Sequence, residues 1–225
     1  METAKTAPEQ LTIYSGLEAG ERQRVDDLAS LKSVAAQSYL IHQHSEARYI
    51  YMVEDGVLIM ERTSAAGRRQ VMAFIYPGNF IGIAQNEFYE FSVKALTDAK
   101  LQEIPARAFI TLQDQIPRLK ENVRRIGGNI LAHTLDQVFA LGQKKAHERI
   151  CFLLQQLTDR KGESETGMID LVMTRQDIAD YLGLTIETVS RAFSKLKREG
   201  IINIHSAHTV EILMPDEVRE MAMSE

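Results

Sequence analysis

Four polar side chains, Glu187, Ser190, Arg191 and Ser194, recur at intervals of three and four residues. On a helix this spacing places them on one side. An arginine can pair bidentately with guanine O6 and N7, a glutamate can accept from the cytosine amino group, and a serine can take either role. The pattern is typical of a helix that reads base edges in the major groove of DNA. An ordinary helix with a solvated charged face is the alternative.

Of these four, Glu187, Ser190 and Arg191 are predicted to read bases. The cations that follow, Lys195, Lys197 and Arg198, suit phosphates, which position a protein on DNA without specifying its sequence. The full set predicted to contact the DNA backbone consists of polar and basic side chains of this stretch: Thr174, Arg175, Thr185, Thr188, Ser194, Lys195, Lys197 and Arg198.

Two short helices joined by a glycine turn must position these side chains. Thr174 can cap a helix over Arg175–Tyr181, with Asp177 at the third position as an imperfect capping box. Gly183 then turns the chain, and Thr185 caps the second helix. The inward-facing residues of that second helix recur at four and three residues: Val189, Phe193 and Leu196. This pattern predicts a helix-turn-helix motif.

The elements around this motif complete the predicted C-terminal zone. Residues 147–157 carry apolar side chains on one helical face, and residues 160–167 are polar and predict a loop. Residues 201–204 and 209–213 bracket a turn and predict a hairpin, which would act as a wing near the DNA backbone. His205 and His208 of this hairpin are expected to face solvent or DNA phosphates.

A long helix is predicted over residues 117–142, with Pro117 suited to its first turn. Its heptad-like positions approximate the seam of a two-stranded coiled coil: Leu119, Val123, Ile126, Ile130, His133, Gln137 and Leu141. We predict that this seam forms a dimer. The alternative is a single helix lying on its own β domain. The Gly127-Gly128 pair lowers helix propensity and would permit either close approach or a bend.

The segment before the long helix predicts a β-rich domain. Residues 38–105 contain short apolar runs separated by turns at Glu54-Asp55-Gly56, Ala65-Ala66-Gly67 and Pro77-Gly78-Asn79. Regular short strands with glycine-bearing turns predict a barrel or jelly roll, and the first turn predicts a tight hairpin. Residues 12–31 are expected to be helical.

Composition restricts the class of protein. The chain has 225 residues, ordinary globular composition and a net charge of −5, which argues against a nonspecific basic coat for nucleic acid. No apolar stretch is long enough to span a membrane and the first ten residues lack a secretory signal, so we expect a cytoplasmic protein. We find no nucleophile–base pair, phosphate loop or metal-ligand spacing, and we therefore do not expect an enzyme.

Cysteine and histidine are the remaining candidates for sensing. Cys151 is the single cysteine, which excludes an internal disulfide and multi-cysteine metal sites. It is a candidate redox residue if exposed and a small core residue if buried. His42 and His44 are expected at the surface where a loop meets a strand, and His133 in the dimer seam. The alternative is that these histidines ligate a haem or metal, since His42 and His44 would share one side of a strand.

The stretch MTRQDIADYLGLTIETVSRAFSKLKREGII resembles the DNA-binding motif of the cyclic AMP receptor protein and FNR (Crp/Fnr) superfamily of bacterial transcription regulators. The β-rich zone resembles that family's sensor domain, and the long helix its dimerisation helix. The resemblance implies an α+β fold with a β-roll (jelly-roll, cyclic-nucleotide-binding-like) sensor domain over 1–115, a dimerisation helix over 116–143 and a winged helix-turn-helix DNA-binding domain over 144–225.

Within this superfamily, the reading helix is similar to that of the FixK and FNR branch. There the pattern E-x-x-S-R, which falls here on Glu187, Ser190 and Arg191, reads a TTGAT half-site in an inverted repeat. Ile186 stands where the cyclic AMP receptor branch has an arginine. The resemblance implies a homodimer that binds double-stranded DNA and RNA polymerase and activates genes for low-oxygen or nitrogen-oxide metabolism.

The sensor departs from the family pattern at its ligand positions. Ile83 replaces the glutamate that binds the ribose of a cyclic nucleotide, and Phe91 replaces the arginine before Ser92 that binds its phosphate. The N-terminal cysteines of an FNR-type iron–sulfur cluster are missing as well. We therefore expect no cofactor. A regulator gated by a cyclic nucleotide, or by a gas bound to haem, is the alternative.

Overall fold

The computed structural model describes residues 11–83, 87–161 and 167–223, and the side chain of Lys161 is not among the described parts. The chain forms two compact units, of which the first ends at Ala132 and the second begins at His133. Ala132 and His133 both lie within one long helix, so that helix contributes residues to each unit. No described helix combines the length and the apolar composition that crossing a bilayer requires.

The first unit contains two antiparallel sheets. Their strands, in chain order, are β1 (Ser30–Val34), β2 (Tyr39–Ile41), β3 (Tyr49–Asp55), β4 (Leu58–Thr63), β5 (Arg69–Ile75), β6 (Phe80–Ile81), β7 (Ser92–Ala95) and β8 (Ala99–Pro105). One sheet has the order β1-β8-β3-β6 and the other β2-β7-β4-β5. Apolar residues from both sheets form one core, in which Leu58, Val93 and Leu101 are fully buried. The predicted β-roll is confirmed.

Two of the predicted turns form as expected, and the tight hairpin at Glu54-Asp55-Gly56 is wrong. Residues 65–67 close the hairpin that joins β4 and β5. Gly56, with φ of +88°, instead carries the chain from β3 in one sheet to β4 in the other. A Cβ at Gly56 would lie 2.3 Å from the Asp98 carbonyl oxygen, so the crossing needs a glycine. The two strands face the same core from opposite sheets.

The expected helix over residues 12–31 is also wrong. Only α1 (Ala19–Asp26) is helical there, closed at its start by a capping box between Glu18 and Glu21. Residues from Ser30 onward pair with β8 instead, because this register supplies partners for their backbone groups. The segment before α1 is held by Asn122, whose Nδ2 donates to the carbonyls of Ile13 and Ser15 at 3.0 and 2.7 Å.

Two helices follow β8. The sequence analysis did not predict α2 (Ala106–Gln115), whereas α3 (Pro117–Gln143) agrees with the predicted long helix to within one residue. Ile116 between them is extended, as expected for a residue before proline.

The predicted seam of α3 requires a correction. Leu119 and Ile126 are buried in the core of the first unit and Val123 packs against it, alongside Ile104 and Phe109. Leu119 and Ile126 therefore use their apolar surface within their own chain, and Val123 is partly covered by it. The spacing indicates correctly which side of the helix is apolar, but it does not indicate which surface covers that side.

The second unit is a winged helix-turn-helix domain, as predicted. Its elements are the C-terminal part of α3, α4 (Ala146–Lys161), β9 (Met168–Asp170), α5 (Arg175–Leu182), α6 (Ile186–Arg198), β10 (Ile202–Ile204), β11 (Thr209–Ile212) and α7 (Pro215–Met223). The sheet order is β10-β11-β9, so the hairpin gains a third strand that the sequence analysis missed, as it did α7. Helix α4 packs against α6 and α7. The loop predicted over 160–167 falls mostly outside the described residues.

Candidate nucleic-acid interface

Local hydrogen bonds at its start and a glycine at its end define the bounds of α5. The Thr174 hydroxyl oxygen accepts from the Asp177 backbone N–H at 3.1 Å, and the Asp177 carboxylate accepts from the Thr174 N–H at 3.0 Å. The capping box that looked imperfect in the sequence is therefore complete. Gly183 ends α5 in the left-handed conformation with φ of +61°, which glycine adopts without strain.

Helix α6 is oriented by its buried side. Thr185 caps its start by accepting from the Thr188 N–H at 3.2 Å. The side chains on the inner face are all buried: Val189, Ala192, Phe193 and Leu196. Since these apolar residues fix the rotation of the helix, its polar residues must face outward.

The structure brings the three predicted base-reading residues together on the exposed side of α6. Glu187, Ser190 and Arg191 all lie in its N-terminal half and are all exposed. The Arg191 guanidinium donates to the Thr188 hydroxyl at 3.2 Å, which leaves other donors of its planar fork open. The Glu187 backbone N–H and the Thr185 hydroxyl hold the pKa of the Glu187 carboxyl below its usual range. Glu187 is thus an ionised acceptor.

The predicted phosphate-contacting residues fall into different environments. Lys197 and Arg198 are exposed near the end of α6. Ser194 is exposed, but its hydroxyl donates to the Ser190 carbonyl of its own helix at 2.9 Å. The Thr185 and Thr188 hydroxyls lie 3.1 Å apart at the start of α6. Thr185 serves first as the cap and Thr188 accepts from Arg191, so both can offer only their remaining hydrogen-bonding capacity to DNA.

Lys195 is engaged within the protein. Its Nζ lies 3.1 Å from His147 Nε2 on α4 and 3.9 Å from a Glu199 carboxylate oxygen. These contacts use part of its hydrogen-bonding capacity, so Lys195 is less available to a phosphate than the exposed Lys197. Sequence spacing did not reveal this arrangement, because His147 is 48 residues away in the chain.

Arg175 has a second role that the sequence analysis missed. Its guanidinium carbon lies 3.9 Å from the centre of the Phe193 ring, so the two side chains stack. Burial lowers the pKa of Arg175, and its Nη1 atom is buried without a hydrogen-bond partner among the described residues. The stacking holds the cation at the start of α5, next to the inner face of α6.

The wing follows α6 as predicted. Strands β10 and β11 pair from Ile202–Ile212 to Ile204–Val210. His205 and His208 are exposed near the turn. One His205 ring nitrogen lies 2.8 Å from a Glu211 carboxylate oxygen, and His208 Nδ1 lies 3.0 Å from the Leu171 carbonyl. These contacts tie the wing to its own sheet.

Comparisons with known proteins bear on both units. Residues 148–221 match the Crp-like helix-turn-helix domain, and residues 31–115 match the cyclic nucleotide-binding domain. The nitrogen fixation regulation protein FixK of Bradyrhizobium diazoefficiens is 32% identical to this chain over 215 residues, 93% of this chain and 89% of FixK. The transcriptional activator protein FnrL of Cereibacter sphaeroides is 30% identical over 88% of this chain and 82% of FnrL.

The chain belongs to the Crp/Fnr family of transcription regulators. A solved structure supports the same conclusion: FixK2 from Bradyrhizobium japonicum has a TM-score of 0.81 and 27% identity, over 88% of this chain and 98% of FixK2. A mutant of CooA from Carboxydothermus hydrogenoformans, at 18% identity and a TM-score of 0.77, shows the shared fold, over 95% of each chain.

The domain of this Crp/Fnr protein that matches the cyclic nucleotide-binding domain has apolar side chains at the two positions where cyclic-nucleotide binders of the family carry a glutamate and an arginine. Ile83 is half exposed, and Phe91 packs against the core of the β-roll. The neighbouring Ser92 hydroxyl accepts from the Gln43 backbone N–H at 2.9 Å. Residues 84–86, between these two positions, lie outside the described residues. The match to the cyclic nucleotide-binding domain shows the fold, and the side chains of Ile83 and Phe91 offer a nucleotide neither charge nor hydrogen bonds.

His42 and His44 occupy exposed positions, as expected. His42 and His44 lie in the turn after β2 and not on one side of a strand, because His44 adopts a left-handed backbone with φ of +69°. His42 instead contacts the Tyr39 ring, 4.9 Å between centres. His133 is exposed on α3. Among the described residues, no group of three or more histidine, cysteine or acidic side chains is placed to hold a metal.

Cys151 is a core residue of the second unit. It is fully buried, and its sulfur lies 3.6 Å from the sulfur of Met221 on α7. Burial, with smaller contributions from Glu148 and Glu199, raises the pKa of the thiol to about 12. The thiolate is the reactive form, so this environment opposes the redox role and favours the structural alternative.

Proposed function

We propose that this Crp/Fnr regulator acts as a homodimer that reads an inverted repeat of TTGAT-type half-sites. The observation that carries the proposal is the exposure of Glu187, Ser190 and Arg191 together in the N-terminal half of α6. Arg191 would pair with a guanine, the ionised Glu187 would accept from a cytosine amino group, and Ser190 would take either role. These are the residue types of the FixK and FNR pattern.

The backbone contacts surround this group in the proposal. Lys197 and Arg198, exposed at the end of α6, would neutralise phosphates directly. Thr174 and Arg175 at the start of α5 would contact the backbone beside the reading helix, together with the threonines that cap α6. Because the chain carries a net charge of −5, we expect DNA contact to be confined to this surface and to weaken steeply with salt.

The dimer would form along the C-terminal part of α3, through a face different from the predicted seam. Leu131, Leu135 and Val138 are exposed by 60%, 60% and 61%, and they recur at four and three residues. Ile130 and Phe139 flank them and are exposed as well. An exposed apolar stripe with this spacing suits a two-helix seam.

Within the predicted seam, Ile130 and His133 remain exposed and adjoin the new face. Gln137 and Leu141 instead pack within the second unit. Gln137 Nε2 lies 3.5 Å from the Tyr181 carbonyl, and Leu141 borders Gly183. The proposed dimer seam therefore consists of Leu131, Leu135 and Val138, flanked by Ile130, His133 and Phe139.

The relatives support a proposal for what is regulated. FixK is named as a regulator of nitrogen fixation, and FnrL is named as a transcriptional activator. We infer that this protein activates genes for low-oxygen or nitrogen-oxide metabolism, with RNA polymerase as its partner. It would do so in the bacterial cytoplasm, where the chromosome is located.

The test is selection of bound sequences from random DNA with the purified full chain and no added ligand. We expect enrichment of a TTGAT-type inverted repeat, which would show the half-site, the two-fold symmetry and effector-free binding together. The matched control is Arg191→Ala, which should lose the guanine preference. Enrichment of an unrelated or unsymmetrical sequence would contradict the proposal. A parallel selection with added cyclic AMP tests effector-free binding, which enrichment in that selection alone would contradict.

A further inference from the structure

Arg149 in the first turn of α4 joins the ends of two helices. Its Nε donates to the Lys144 carbonyl at 2.9 Å, and its Nη1 donates to the Leu182 carbonyl at 2.9 Å. Lys144 directly follows α3, and Leu182 is the last residue of α5. One partly buried guanidinium therefore connects the end of the long helix to the turn of the helix-turn-helix motif.

The Leu182 carbonyl is available because the local hydrogen bonds of the turn leave it unused. Carbonyls in the last turn of a helix have no partner within the helix. The N–H groups of Gly183 and Leu184 both donate to the Ala179 carbonyl, three residues before Leu182. Arg149 supplies a donor from outside the motif, and its planar fork can hold two carbonyls in a fixed relative position.

Packing around Gly183 strengthens the same connection. A Cβ at Gly183 would lie 3.4 Å from Leu141 Cδ2 and 3.6 Å from Arg149 Nη1. The turn thus lies against the last turns of α3, where Gln137 reaches the Tyr181 carbonyl at 3.5 Å. All of these residues belong to the unit that begins at His133.

We propose that Arg149 is a positioning residue that sets the half-site spacing the dimer accepts. This inference rests on the proposed function. A dimer of this kind must hold two reading helices about 34–36 Å apart, one turn of DNA. Each reading helix is fixed to the dimer seam through the end of α3, the Arg149 bridge and the Gly183 turn. If the bridge is lost, each reading helix can tilt on α3, and the dimer tolerates a wider range of spacings.

The test compares operators whose two half-sites are moved together or apart by one or two base pairs. For the natural chain we expect a sharp optimum, with about a tenfold loss in affinity per base pair of misplacement. Arg149→Gln should lose about tenfold in operator affinity at the optimal spacing and little at the other spacings, so that the profile of affinity against spacing flattens. Arg149→Lys keeps the charge but lacks the fork that bridges both carbonyls, and it should flatten the profile as well.

The matched control is Arg219→Gln, which removes an exposed arginine on α7 and should leave the profile unchanged. Equal loss at every spacing, no loss at all, or failure of both Arg149 variants to fold would each overturn the positioning role. If only Arg149→Gln fails to fold, the spacing profile of Arg149→Lys tests the positioning role. A natural chain without any spacing preference would instead contradict the palindromic reading on which this inference rests.

Discussion

Helices α3 and α6 each bury one side and expose the other, but their exposed sides have opposite chemistry. The open face of α3 near its C-terminal end is apolar, with Leu131, Leu135 and Val138 each about three-fifths exposed. The open face of α6 carries Glu187 and Arg191 and is polar and charged. Both helices are amphipathic, so amphipathicity alone does not distinguish their roles.

The difference in exposed chemistry indicates the partner that each face suits. Exposed apolar area is stabilised when another apolar surface covers it, and a second copy of α3 offers such a surface. A charged face with directional donors and acceptors is better matched by base edges and phosphates. In the proposed regulator, the apolar face of α3 would form the two-fold dimer. The charged faces of the two α6 helices would then bind the two symmetric half-sites.

The largest predicted effect concerns the buried side of α3. Leu119→Ala should reduce the free energy of unfolding by about 2–5 kcal/mol, because Leu119 is fully buried and its removal leaves a cavity. Chemical denaturation followed by circular dichroism measures this loss. The loss should not depend on protein concentration, since the contacts of Leu119 lie within one chain. A loss that disappears on dilution would place Leu119 in a dimer interface after all.

The second prediction applies the same substitution to the open side of α3. Leu135→Ala should weaken dimerisation by about 0.5–1.5 kcal/mol for each leucine removed, because only the exposed three-fifths of the side chain is left to bury, and a two-fold interface loses two. Analytical ultracentrifugation over a dilution series measures the change in the dimer dissociation constant. The matched control is Leu119→Ala, which should lower stability more and dimer affinity less. An unchanged dissociation constant for Leu135→Ala would mean that another surface forms the dimer.

These two leucines also show what the sequence could reveal about the fold. The spacing of four and three residues predicted α3 almost to the residue, yet it assigned Leu119 to a dimer seam. Periodicity reports which side of a helix is apolar, whereas its partner depends on residues distant in sequence such as Phe109. The same limit explains the missed β1, whose pairing with β8 joins residues about seventy positions apart.

The candidate DNA interface was more predictable, because its geometry is local. The caps at Thr174 and Thr185 and the turn at Gly183 are set by neighbours within a few residues, and the structure shows all three. The contacts that sequence reasoning missed join distant elements, as Arg149 does with Leu182 and as His147 does with Lys195. No short-range pattern signals such contacts.

The third prediction concerns the polar face of α6. Arg191→Ala should cost about 1–3 kcal/mol on the cognate site and should relax the preference at the base pair that Arg191 reads. Binding to the cognate operator and to operators changed at single positions, measured by fluorescence anisotropy, tests both parts. Stability and dimerisation should remain as in the natural chain, since Arg191 is exposed. Equal losses on cognate and scrambled DNA would show that Arg191 contacts the backbone only.

The smallest predicted effect separates two lysines on the same helix. Lys197→Ala should weaken binding to all DNA sequences by a similar factor and should reduce the slope of log affinity against log salt by about one, because it removes one phosphate contact. Lys195→Ala is the matched control, since Lys195 lies against His147 and Glu199 and should change the slope less. Affinities at several salt concentrations, on cognate and scrambled DNA, give both slopes. If Lys195→Ala changes the slope as much as Lys197→Ala, then Lys195 leaves its protein partners when DNA binds. The charged face of α6 that contacts DNA would then include Lys195, which lies against His147 and Glu199 in the free protein.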